Sequence, residues 1–144
     1  MRLVAAVALA AAVAAHAATA HAARLGFSTF VLPSRNIGCG YMSPDRYVKG
    51  YTLRCDILSG LRPTPRREAA ACELDLTGLT LGRTGRGTVT CAGDTVMDRR
   101  ARVLQYGRTW HGGPFTCSSR RTGLTCTSRA GHGIFLSRAR WRVW

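Results

Sequence analysis

The sequence predicts a small, mainly β domain: a barrel or sandwich of antiparallel hairpins, stapled by disulfides and carrying at most one short helix. Three observations lead there. Apolar residues recur in short alternating runs rather than at helical spacing, glycine-rich turns separate those runs, and six cysteines all lie downstream of an N-terminal segment that reads as an export signal. Short strands at this spacing favour a small barrel or sandwich over an α/β arrangement.

Met1 and Arg2 give a short positive start, and residues 3–15 form an unbroken, alanine-rich apolar run too short to span a bilayer. Ala18-Thr19-Ala20 and Ala20-His21-Ala22 both fit the small-x-small pattern read by signal peptidase. Cleavage after Ala20 or Ala22 is expected, giving a signal peptide over 1–22 and a single disulfide-rich β domain over 23–144. A core helix is the poorer reading of that run, which has neither a polar face nor caps. No later stretch approaches the ~20 apolar residues of a transmembrane helix. The mature product is therefore expected to be extracytoplasmic, secreted or associated with the cell envelope.

In the mature chain, residues 36–42 form a first strand candidate, Ser43-Pro44-Asp45 opens a turn, and residues 51–57 alternate large apolar with polar side chains. These two strands are expected to pair. Residues 61–65 are a proline-broken loop, and residues 66–72, with Glu68 and three alanines, offer one or two helical turns. Leu74, Leu76, Leu79 and Leu81 straddle Gly78, and residues 88–91 follow the turn at 85–87, predicting a second hairpin. A third joins residues 114–117 to 124–127 around a bend at 120–123, and residues 134–136 and 140–144 complete the sheet.

Cys39, Cys55, Cys72, Cys91, Cys117 and Cys126 are separated by 15, 16, 18, 25 and 8 residues. These intervals lack the close pairs of a zinc or iron–sulfur site and the C-x-x-C of a redox dithiol, so no metal or cofactor is expected. Fifteen connectivities are open to six cysteines. The sequential one, Cys39–Cys55, Cys72–Cys91 and Cys117–Cys126, is preferred because each pair brackets a hairpin or long turn. Each loop of this size contributes roughly 3 kcal/mol in the chain-entropy model.

Twenty arginines, one lysine and seven acids give a net charge of +14. Such a charge suits an anionic polymer: nucleic acid, phosphate-bearing wall material or acidic lipid. The simpler reading is GC-rich coding, with arginines spread over a solvated surface. Pairs such as Arg66-Arg67, Arg99-Arg100 and Arg120-Arg121 form no single long basic block.

Successive blocks carry a resemblance. Residues 30–39 (FVLPSRNIGC), 53–57 (LRCDI), 91–96 (CAGDTV), 104–107 (LQYG), 123–126 (GLTC) and 131–138 (GHGIFLSR) resemble those of a family of small exported actinobacterial proteins catalogued as a domain of unknown function. The resemblance covers nearly the whole mature chain. It implies export and a cysteine-stapled β-rich domain, and brings no activity to transfer.

The search for chemistry is thin. A hydrolase needs a base matched to its working pH and a partner group. His132 is the best candidate base, although Gly131-His132-Gly133 reads more simply as a tight bend, and His111 beside Gly112-Gly113 reads as a loop residue. Asp94, after Gly93, suits an Asx-type turn or, alternatively, a polar anchor in a ligand groove. Tyr106, Trp110, Trp141 and Trp144 suit either the core or stacking faces for a sugar or peptide. The leading reading is an exported, non-catalytic binding module whose candidate ligand contacts are Asp94, Tyr106, Trp110 and His132. Its partner would be an anionic envelope polymer or another secreted protein, and inhibition of a foreign hydrolase is one form of that role. The alternatives are a small secreted hydrolase, such as a nuclease, using His132 or His111 with Glu68, Glu73 or Asp94, and a purely electrostatic binder of anionic wall or lipid polymers.

Overall fold

The computed structural model describes residues 27–46 and 49–144. The segment read as a signal peptide, 1–22, lies outside them. Among the described residues eleven strands form two sheets. The first has the order β5 (Thr88–Ala92), β4 (Asp75–Gly82), β3 (Thr52–Ile57), β2 (Ile37–Met42), β1 (Phe27–Val31), β6 (Arg102–Val103). The second runs β11 (Trp141–Val143), β10 (Gly133–Leu136), β9 (Gly123–Ser128), β8 (Phe115–Arg120), β7 (Thr109–Gly112). Every pairing is antiparallel except β1 with β6.

The period-2 pattern decides which face each strand buries. Ile37 and Cys39 of β2, Leu53, Cys55 and Ile57 of β3, and Leu79 and Leu81 of β4 meet Phe115 and Cys117 of β8, Leu124 and Cys126 of β9, and Ile134 and Leu136 of β10 in one core cluster. Two disulfides lie inside it. Cys39 stands directly opposite Cys55, and Cys117 directly opposite Cys126, one pair in each sheet, with all four residues 0% exposed. The third bridge, Cys72–Cys91, ties the end of helix α1 (Arg66–Ala71) to β5. The pairing is the sequential one.

The sheets are joined at both flanks without closing into a barrel, so of the two architectures expected the molecule is the sandwich. On one flank Gly87 N donates to Trp144 O (3.4 Å) and Trp141 Nε1 to Pro63 O (2.8 Å). On the other flank the chain crosses from sheet to sheet over residues 102–112: Leu104 N donates to Val31 O (2.8 Å) and Gly107 N to Ser119 O (2.7 Å).

The three hairpins form as expected, and β10 and β11 complete the sheet that holds the third of them. Strands β1, β6 and β7 were not expected. β6 has only two residues and exists through its non-local parallel partner β1. β7 ends in glycine, which weakens strand propensity, and is held by its register with β8. His111, read from sequence as a loop residue, therefore sits on β7 opposite Thr116.

Candidate functional site

Two constructions dominate the surface. The first is a strap, residues 93–98, laid over the outer face of the first sheet. Gly38 and Gly40 alternate with inward Cys39 and leave that face bare. A Cβ on Gly38 would lie 2.6 Å from Met97 Sδ, and one on Gly40 would lie 3.1 Å from Val96 Cβ. Arg54 and Asp56, outward on the neighbouring strand β3, clamp the strap. Arg54 Nε donates to Asp56 Oδ1 (2.9 Å), Nη1 to Asp94 Oδ1 (2.7 Å) and Nη2 to the Asp94 carbonyl (2.6 Å). Asp56 Oδ2 accepts from Thr95 Oγ1 (2.9 Å) and Val96 N (3.0 Å), which satisfies a carboxylate that is almost fully buried. Burial opposes the Arg54 charge, but hydrogen bonds and attraction from Asp56 and Asp94 more than offset it, so the guanidinium pKa lies above its ordinary value. Those same hydrogen bonds and the Arg54 charge hold Asp94 below the usual carboxylate range. Blocks 36–40, 54–56 and 93–97, separate in sequence, thus make one structural unit.

The second construction is electrostatic. All seven acids lie within residues 45–98, whereas residues 99–144 contain ten arginines and no Asp or Glu. That stretch builds the flank crossover and the entire second sheet. At one end of the sandwich, the β1–β2, β8–β9 and β10–β11 turns meet the crossover around a cleft of about 390 Å³. Arg120, Arg121 and Arg138 converge on it, with the hydroxyls of Ser34, Thr122 and Ser137 between them and Leu32 and Ile37 at its base. Arg121 stacks over Tyr106, its Cζ 5.3 Å from the ring centroid, which restricts where the guanidinium points. No lining residue carries a negative charge. Arg120 and Arg121 are exposed, so their charges stand free to meet an anion.

The proposed contact residues are spread among these features. Tyr106 lines the end cleft. Asp94, its side chain 80% exposed, belongs to the strap. Trp110 packs on Phe30 (5.0 Å between centroids) and Tyr41 (5.6 Å), and with His111 it lines a separate groove of about 820 Å³ along the crossover flank, beside Arg102 and Arg108. His111 Nδ1 lies 3.1 Å from Thr116 Oγ1. His132 occupies the β9–β10 turn, where its carbonyl accepts from Ser128 N (2.8 Å). Trp141 opens β11 and Trp144 follows it, while Glu68 lies in helix α1 and Glu73 just beyond it, both exposed. Sequence reasoning missed Arg120, Arg121 and Arg138 as a group. The signal that finds them is the distribution of acids rather than the distribution of arginines.

Among the described residues no cluster of three or more His, Cys, Asp or Glu is placed to hold a metal ion, and no helix is long and apolar enough to cross a membrane. Fold and surface define a disulfide-stapled two-sheet β domain with one strongly cationic layer. The chain belongs to a family of unknown function, DUF6636, whose model matches residues 5–144. No curated protein and no solved structure matches the chain.

Proposed function

We propose that this domain is an extracytoplasmic, non-catalytic binding module that takes anionic ligands, with the arginine-lined end cleft as their point of contact. The convergence of Arg120, Arg121 and Arg138 on one cleft whose lining has no carboxylate carries the reading. Guanidinium groups are weakly hydrated and present fixed donor forks suited to phosphate and carboxylate oxygens. A scaffold with a disulfide in the core of each sheet holds those turns in place without ligand, which limits the ordering cost of binding. Three disulfides also suit an oxidising compartment, and with the apolar N-terminal run they support export of the chain. In the envelope such a module would engage a phosphate- or carboxylate-bearing polymer.

The test compares two variants of equal charge. Arg120, Arg121 and Arg138 are replaced together by Ser in one, and Arg62, Arg66 and Arg67 in the other. Titration calorimetry with polyphosphate should show the cleft variant weakened by at least about tenfold, since each hydrogen bond to a charged group is worth roughly 1.5–3 kcal/mol, and the other changed by less than about twofold. Equal losses would show that bulk charge alone governs binding and would overturn the assignment of the cleft.

A further inference from the structure

The outer face of the second sheet is a continuous surface of its own. Its side chains are set by register, directly across five strands. One row runs Thr109, Ser118, Thr125, Phe135, Arg142. The adjacent row runs His111, Thr116, Thr127, Gly133. Gly133 leaves a gap that Trp144 fills, its indole occupying the space of the missing side chain. Arg140 lies over Phe135 (5.3 Å to the centroid) and Arg142 over Trp144 (4.9 Å). Hydroxyls therefore recur about every 4.8 Å across the strands and end against two aromatic rings capped by guanidinium groups.

From this arrangement we infer that the outer face of the second sheet binds an extended acidic polysaccharide lying across the strands. The sugar hydroxyls exchange hydrogen bonds with the Ser and Thr rows, each of which can donate and accept. The uronate carboxylates meet Arg140 and Arg142, whose planar forks match a carboxylate in bidentate fashion. The face carries no acid to repel such a chain. A nucleic acid suits it less well, because stacking bases need bare ring faces, and here each ring already lies beneath a guanidinium. The inference extends the anion-binding reading to a second surface and rests on the same acid-free half, but the two are separable by experiment.

Polygalacturonate is the probe, with dextran as the neutral comparison and single-stranded DNA as the rival polymer. Polygalacturonate should bind the parent, and binding should fall about tenfold or more when Arg140 and Arg142 are both changed to Gln. It should also fall severalfold in the Thr125→Val, Thr127→Val double variant, which leaves the charge unchanged. The Arg62, Arg66, Arg67 variant, outside both surfaces, should retain most of it. Amide chemical shifts of the parent should move at Thr116, Thr125 and Thr127 on titration with oligogalacturonate, a reading that needs no variant to fold. Unmoved shifts at those amides, equal binding of single-stranded DNA with an unaffected valine variant, or loss confined to the cleft variant would overturn the inference. The last outcome would leave the end cleft standing as an anion site.

Discussion

Arg54 and Asp56 stand two residues apart on β3, on the same outer face, and Arg54 Nε meets Asp56 Oδ1 at 2.9 Å while the remaining guanidinium nitrogens reach on to Asp94. The ion pair is therefore also the anchor of a loop forty residues away.

Replacing Arg54 by Ala leaves the Asp56 carboxylate, 3% exposed, without its cation. Breaking a buried pair from one side costs about 3–5 kcal/mol, and a loss near the lower end is expected here because Thr95 Oγ1 and Val96 N still donate to Asp56. Arg54→Lys should recover little, since a compact ammonium lacks the planar fork whose separate nitrogens reach Asp56 and Asp94 at once. Urea unfolding of the two variants measures both effects.

The strap should loosen in acid. Asp94 has a folded pKa depressed below its ordinary value of 3.8, so its contribution is whole above that pH. It declines as the pH falls below 3.8 and vanishes once the folded carboxylate is protonated. Protection of the Val96 and Met97 amides, taken relative to intrinsic exchange at each pH, should fall over this range in the parent, and Asp94→Asn should already show lower protection at neutral pH with a flatter acid profile.

The three disulfides should differ in susceptibility to reduction. Cys91 is exposed and Cys72 partly so, whereas the other four cysteines are fully buried. Limited treatment of the native protein with reductant, followed by alkylation and peptide mapping, should label Cys72 and Cys91 first. Substituting Ala for Cys39 and Cys55 together should cost more than the roughly 3 kcal/mol of loop entropy, because it also opens space in the core.

Side chains introduced under the strap test its seating. Gly40→Val places branched methyls against Val96, whose backbone is held by Asp56, and should cost about 1–3 kcal/mol as overpacking. Gly38→Ala meets the flexible end of Met97, Sδ at 2.6 Å, and Val31 Cγ1 at 3.2 Å, and should cost less because the Met97 thioether can swing aside. Thermal melts of the two variants rank them.

The hairpins could be read from the chain because alternation and turn chemistry are local: residues 51–57 and 124–127 announce their own faces. The strap could not, since it depends on Gly38 and Gly40 lying beside Arg54 and Asp56, a relation that exists only after β2 and β3 pair. Asp94 invited a turn reading, yet its main partner is Arg54. The end cleft assembles from three turns and a crossover, so arginines at 120, 121 and 138 look scattered in sequence. The run free of acids from residue 99 onward was legible throughout, and it is the trace of the cationic layer that a search for basic blocks passes over.

The connectivity Cys39–Cys55, Cys72–Cys91, Cys117–Cys126 has no crossing and no nesting. A chain that appears N-terminus first, whether from a ribosome or a translocation pore, presents each cysteine to its partner before the first cysteine of the next pair emerges. Oxidation can thus proceed in step with emergence, and the first thiol available to each new cysteine completing a pair is the native one. Such a protein needs an oxidant but little help from a disulfide isomerase, and its yield in a heterologous host should follow the strength of the oxidising machinery rather than the capacity for reshuffling.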